Sequence, residues 1–201
     1  NASSLNVKYK YYKNMKKKLN IGYFGSIYKS RGLNIITKLS EIDKYNNYYV
    51  YGGEKNDVIE LKKKYRNSNI FFSEYIPYLK IEKKLNKIDI CILPYTKKIT
   101  VSGNVGDISN YTSPLKIFDY MKTGKLIICS NLKVIREVLN NNVNSILVND
   151  FDKLNSWLTN INLIKINKKK FNRIRRNAYI FGNKYNNIWR VKNILSNISL
   201  K

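Results

Sequence analysis

Two short stretches of this sequence combine residue types that hold phosphate. Ser113-Pro114-Leu115-Lys116 reads as the opening of a helix, with Ser113 at the N-cap and Pro114 at the first helical position. Unpaired N–H groups of a first helical turn, together with the helix dipole, attract an anion, and Lys116 adds a full charge. Asp119 falls on the same helix face, where a carboxylate suits the hydroxyls of a ribose better than a phosphate. A capped helix with a surface Lys and a surface Asp is the competing reading, and the local sequence leaves both open. The second stretch is Gly25 followed by SIYKSRG. A glycine there lets a phosphate approach the backbone, and Lys29 and Arg31 are placed to reach its oxygens. The dinucleotide fingerprint GxGxxG is absent, so an ordinary strand-to-helix turn with solvated bases also stays open.

Other candidates are weaker. Glu137 and the trio Arg173, Arg175 and Arg176 read as solvated helix residues, and Tyr185 and Trp189 as packing residues. Cys91 and Cys129 sit in the apolar runs ICIL and IICS and read as buried small hydrophobes. With no His and two dispersed Cys, the sequence offers no metal-ligand cluster, so neither a metal nor a cofactor is expected.

The elements that must position these residues alternate. Short apolar runs predict strands over 19–24, 48–51, 69–72, 88–93, 125–129 and 144–148. Between them lie predicted helices over 33–42, 56–65 (capped by Asn56), 81–87, 113–122 and 133–139. Helices over 151–160 and 168–196 close the chain, the second broken near Gly182. About six strands with crossover helices make an α/β fold with an open, doubly wound parallel sheet, Rossmann-like. Ligands of such sheets bind beyond the carboxyl ends of the strands, here Gly25-Ser26, Gly52-Gly53-Glu54, Tyr75-Ile76-Pro77, Pro94-Tyr95 and Ser130. Residues 95–112 form a long loop of the kind that often carries function. Residues 1–18 read as a tag remnant, linker or basic arm, and 19–201 as the domain. The start at Asn1-Ala2 suggests an excised piece of a longer chain.

The 201 residues are 43% hydrophobic, enough for one buried core. The formal net charge is +25, from 38 basic and 13 acidic residues. Such a field attracts phosphates, anionic membranes or nucleic acid. The abundance of Lys, Asn, Ile and Tyr also fits compositional drift from AT-rich coding DNA. The bases read as dispersed and no nucleic-acid motif is present, which disfavours a nucleic-acid partner. No apolar run reaches the roughly 18 residues of a membrane span, and no signal peptide opens the sequence.

The segment TSPLKIFDYMKTGKLIICSNLKVIREVL resembles the donor-binding segment of bacterial family-4 glycosyltransferases, the "glycosyl transferases group 1" type. IGYFGSIYKSRG, YVYGGE and FFSEYIPYLKIEKKLNKIDICILPY resemble the preceding segments of that family in the same order, and Tyr185–Ile194 its closing helix, so that the likeness spans about residues 19–196. The resemblance implies a GT-B fold, with two Rossmann-like domains facing across a cleft, of which this chain is the C-terminal half. It implies an enzyme that transfers a sugar from a nucleotide-sugar, such as a UDP- or GDP-sugar, to a glycan or lipid-linked acceptor, with retention and without a metal. By position, Ser113, Leu115, Lys116, Arg31 and Gly25 are implied at the donor diphosphate and Asp119 at the ribose; the catalytic residues stay unassigned. An N-terminal domain is an implied partner. Cell-envelope polysaccharide synthesis in the cytoplasm, at the inner face of an anionic membrane, is the implied setting.

The sequence departs from the family pattern in three places. Tyr111 stands where the first of two glutamates is usual, eight positions before Asp119, which itself replaces a glutamate. Ser26 stands where a basic residue is common. The rival reading is a non-catalytic basic Rossmann-like module for nucleic acid or anionic membrane. Further rivals are a nucleotide-sugar epimerase and an inactive relative.

Overall fold

In the computed structural model, the structure describes residues 3, 5, 9, 17–27, 29–100, 106–109, 115–185, 191, 192, 195 and 196. Six strands form one all-parallel sheet: β1 (Asn20–Phe24), β2 (Asn47–Gly53), β3 (Ile70–Glu74), β4 (Ile90–Leu93), β5 (Leu126–Ser130) and β6 (Ile146–Val148). Their spatial order is β3-β2-β1-β4-β5-β6. β4 and β5 are buried at every position. Unbroken apolar runs such as ICIL and LIICS are what a sheet covered on both faces requires.

The helices are α1 (Leu33–Ile42), α2 (Lys55–Lys64), α3 (Tyr78–Leu85), α4 (Lys116–Lys122), α5 (Leu154–Ile166) and α6 (Lys168–Lys184). The strand order reverses between β1 and β4, so right-handed crossovers place α1 and α4 on opposite faces. α5 packs beside α1, and α6 packs along α4. The reversal opens a crevice at the carboxyl ends of β1 and β4, the usual ligand position in such sheets.

The fold class and the strands stand as expected, with several local corrections. α2 starts at Lys55 with Glu54 at its N-cap, so Asn56 lies inside the first turn and caps nothing. The helix expected over 133–139 is only a 3-10 turn, Ile135–Glu137. β-branched Val134, Ile135 and Val138 weaken helix propagation, and the chain then turns through Asn142 at φ 60. The break expected near Gly182 falls at Tyr185, the C-cap that ends α6; Gly182 itself lies inside α6, where a Cβ would meet the Lys122 backbone nitrogen at 2.7 Å. The glycine also lets α6 approach α4 closely. α4 is described from Lys116, and Ser113, Pro114 and Tyr111 lie outside the described residues, as does Trp189.

The amino end of the sheet is closed by a polar network. Buried Asp43 accepts hydrogen bonds from Asn46 Nδ2 (2.6 Å) and from the Tyr48 hydroxyl (2.8 Å). Asn46 Oδ1 in turn accepts the Leu19 amide at 3.0 Å, and Asn69 Nδ2 donates to the Asp43 carbonyl at 2.7 Å. Both cysteines are free and buried. Ser3, Leu5 and Tyr9 pack on the domain: Ser3 donates its amide to the Tyr185 carbonyl, and the Tyr9 ring lies 5.0 Å from that of Tyr179.

Candidate functional site

A cavity of about 150 Å³ opens at the carboxyl ends of the strands. β1 contributes Phe24 and Gly25, β2 contributes Tyr51 and Gly52, and Tyr75 and Ile76 follow β3. Ile81 of α3 closes one side, and Lys116, Asp119 and Tyr120 of α4 close the other. Phe24 and Tyr51 stack with ring centroids 4.7 Å apart, making one apolar wall. A void of about this volume takes one planar ring.

The floor is bare backbone. Gly25 adopts φ 150 and Gly52 φ 125, conformations that side-chain-bearing residues avoid. The Gly25 amide donates to the Tyr51 carbonyl at 2.8 Å, and a Cβ at Gly52 would collide with the Gly25 carbonyl. A Cβ at Gly25 would collide with the Lys116 ammonium. The end of β1 is held by the Tyr120 hydroxyl, which accepts the Phe24 amide at 3.1 Å. The loop beyond is held by the Tyr23 hydroxyl, which donates to the Ser26 carbonyl at 2.7 Å.

Two cations meet beside this floor. The Lys116 ammonium lies 4.8 Å from the Tyr23 ring centroid and 5.8 Å from that of Tyr95. The Arg31 guanidinium lies 5.5 Å from the same Tyr95 centroid. Arg31 is carried by a 3-10 turn (Lys29–Arg31) tied to the loop after β4, where Ser30 Oγ and Thr100 Oγ1 share a hydrogen bond of 2.8 Å. No carboxylate lies within 4.0 Å of either cation among the described residues, whose ion pairs are Lys97–Asp152 and Lys153–Asp150. Burial, reinforced by the Arg31 charge, pushes the Lys116 ammonium down to about 7. Two cations held together without a carboxylate form a site that an anion stabilises.

Asp119 stands one helical turn beyond Lys116, half-buried at the cavity rim. Its Oδ1 accepts the Ser3 hydroxyl at 2.6 Å and the Tyr78 hydroxyl at 2.9 Å. Burial raises its carboxyl above the ordinary range, partly offset by those two donors. Both partners are hydroxyls, the donor type a ribose would present.

Of the residues singled out from sequence, Gly25, Lys116 and Asp119 line one cavity, and Arg31 joins them across the Tyr95 ring. Leu115 is more than half exposed at the N-cap of α4. Ser113 and the side chain of Lys29 lie outside the described residues. Arg175 is no solvated residue: it is buried, and its Nε donates to the Gly124 carbonyl at 2.9 Å. Glu137 is exposed, and Tyr185 packs edge-on against Phe118 at 5.3 Å. Sequence reasoning missed Ser3, Tyr78 and the Phe24–Tyr51 wall. The strand-end position of Tyr75-Ile76 and Gly52 was the one signal available for the rest of the lining.

The fold is shared with solved glycosyltransferase structures. HepE of Anabaena in complex with UDP-glucose superposes with a TM-score of 0.72 at 15% identity, over 92% of this chain and 50% of that one. The C-terminal domain of a glycosyl transferase group 1 family protein (LpcC) from Francisella tularensis gives 0.64 at 18% identity, over 84% of this chain and 87% of that one. Sucrose-phosphate synthase from Thermosynechococcus elongatus gives 0.70 at 12% identity, over 91% of this chain and 45% of that one. The chain thus spans about half the length of HepE and of the synthase. No curated protein sequence matches it. Residues 18–163 match the profile of a family described as glycosyl transferases group 1, and that match, over well more than half of the sequence, makes this chain a member of the group 1 glycosyltransferases.

Proposed function

We propose that this chain is the donor-binding half of a two-domain GT-B glycosyltransferase. One observation carries the reading. Lys116 and Arg31, two cations without a carboxylate partner among the described residues, stand with Asp119 at a ring-sized apolar cavity at the carboxyl ends of β1 and β2. In this reading the base enters between the Phe24–Tyr51 wall and Ile81, and the ribose hydroxyls donate to Asp119. The diphosphate crosses the bare backbone at Gly25 to reach Lys116 and Arg31.

The chemistry follows from charge. Breaking the bond between the anomeric carbon and the donor oxygen leaves the electron pair on the diphosphate. Fixed cations that meet that charge as it develops lower the barrier, because they need no reorganisation at that moment. An acceptor hydroxyl, brought by the facing domain, forms the new bond to the anomeric carbon and loses its proton. Retention and metal-independence, a glycan or lipid-linked acceptor, and cytoplasmic cell-envelope synthesis belong to the same proposal and rest on the motif resemblance. HepE, a neighbour in fold, binds UDP-glucose, which favours a UDP-sugar donor.

The test is calorimetric titration of UDP, GDP, ADP and UMP at about physiological salt, with Asp119→Ala and Lys116→Ala alongside. One diphosphate is expected to bind at least tenfold more tightly than UMP, with either substitution removing at least tenfold, about 1.4 kcal/mol. Uniformly weak binding of all four, abolished by high salt, would reduce the site to a general attraction of anions by a basic protein.

A further inference from the structure

All thirteen acidic residues of this sequence lie before residue 153. From Lys153 to Lys201 there are twelve Lys and Arg and no Asp or Glu. The bases are dispersed along the chain, but the acids that would neutralise them are not.

The fold concentrates that imbalance at one corner. α5 ends at Ile166 and α6 begins at Lys168, so the two helices meet in a tight turn. Lys168, Lys169 and Arg173 are exposed there. Beside them, Ile166 is 79% exposed and Leu163 47%. The Lys165 ammonium lies 4.3 Å from the ring centroid of Tyr45, which is itself 51% exposed. Tyr45 lies two residues before β2, which fixes the corner at the amino edge of the sheet, away from the cavity at the carboxyl edge.

One exposed aliphatic side chain has no meaning by itself. Three exposed apolar groups next to exposed cations make the pattern of an interfacial membrane contact. Aliphatic and aromatic side chains enter below the headgroups, while the long cationic side chains stay at the level of the lipid phosphates. Each Lys or Arg near an anionic leaflet adds to the attraction, within a Debye length. A nucleic-acid duplex would use the same cations but offers no place for Ile166 and Leu163.

We propose that the α5–α6 corner, with Leu163, Ile166, Lys168, Lys169 and Arg173 at its centre, is a docking surface for an anionic lipid bilayer. Docked through this corner, the chain is held peripherally with its nucleotide cavity turned away from the lipid. The surface shares no residue with that cavity, so the inference stands or falls separately from the donor reading.

The experiment is co-sedimentation with vesicles of phosphatidylcholine alone and of phosphatidylcholine with roughly one-third phosphatidylglycerol, at about physiological salt. Three variants are compared with wild type. The first is the triple Lys168→Glu, Lys169→Glu, Arg173→Glu. The second is a control triple on α2 with the same charge change, Lys62→Glu, Lys63→Glu, Lys64→Glu. The third is Ile166→Ser, which changes no charge and keeps the test open should the first triple lose its fold by circular dichroism. The expected results are binding to the anionic vesicles alone, at least tenfold weaker for the corner triple and less than threefold weaker for the control, with Ile166→Ser losing severalfold. Equal losses for the two triples, equal binding to neutral vesicles, or no vesicle binding would each overturn the proposal. So would an Ile166→Ser variant that binds like wild type. Duplex DNA binding that is lost in the corner triple, while vesicle binding is unaffected, would assign the surface to nucleic acid instead.

Discussion

Two carboxylates at opposite ends of the sheet, each bonded to a tyrosine hydroxyl, have opposite designs. Asp43 is buried at the amino end and bonded by Asn46 and Tyr48, residues within five positions of it in the chain. Asn46 is in turn bonded to the Leu19 amide, so the network is closed within the fold. Asp119 stands at the carboxyl end, half-buried, and its two donors come from residues 41 and 116 positions away. One carboxylate organises the fold; the other is supplied with hydroxyls that an arriving ligand can replace. A polar group surrounded by its own sequence neighbours stabilises the chain, and one whose partners are distant and exchangeable is available to bind.

The largest effect that could break this comparison is on stability. Asp43→Ala removes the acceptor for Asn46 Nδ2 and the Tyr48 hydroxyl and leaves both donors buried. A loss of about 3 kcal/mol in urea unfolding is expected, because stranded buried donors cost their full desolvation. Asp119→Asn should do the reverse. Its carboxyl is raised in the folded chain, so at neutral pH the charged form opposes folding, and this contribution to stability falls as pH rises through the raised value. Because the group is partly exposed, the gain on neutralising it should stay below about 1 kcal/mol. If Asp119→Asn destabilised as strongly as Asp43→Ala, the two ends would be alike and the distinction would fail.

The next effect sharpens the comparison through pH. The folded-state value of Lys116, about 7, lies below its ordinary value, so the unfolded chain binds more protons between the two. Its contribution therefore strengthens stability as pH rises across that window. A bound diphosphate favours the ammonium form, so binding near pH 8 should take up close to one proton. Affinity should weaken by up to tenfold per unit above pH 7. Titrations in buffers of different ionisation enthalpy would reveal the uptake, and its persistence in Lys116→Ala would assign it to another group.

The fold was legible because its signals are local. Apolar runs such as ICIL and LIICS mark strands buried on both faces, and α1 over 33–42 follows directly from its periodicity. Lys116 and Asp119 were legible because one helical turn brings them to the same face. What could not be read was tertiary. Nothing near Asp119 announces Ser3, Tyr78 or the Phe24–Tyr51 wall, since each partner arrives from a distant element. Gly182 carried a second meaning that was equally tertiary: besides marking the end of α6 at Lys184, it marks where a second helix backbone passes.

The smallest effect concerns Ser3, and it decides whether the donors of Asp119 are truly exchangeable. Ser3 Oγ occupies Oδ1 at 2.6 Å, the atom that a ribose hydroxyl would approach. If that bond must yield before the nucleotide enters, Ser3→Ala removes a competitor. The bond is to a carboxylate, but water takes the hydroxyl's place in the variant, so a net effect of about 1 kcal/mol remains and the affinity for a nucleoside diphosphate should rise by roughly threefold to fivefold. The opposite result, a weaker complex, would mean that the Ser3 hydroxyl orients the carboxylate toward the ligand. Ser3 would then have to be counted with Tyr78 as part of the binding machinery, and the segment that carries it as a permanent wall of the site.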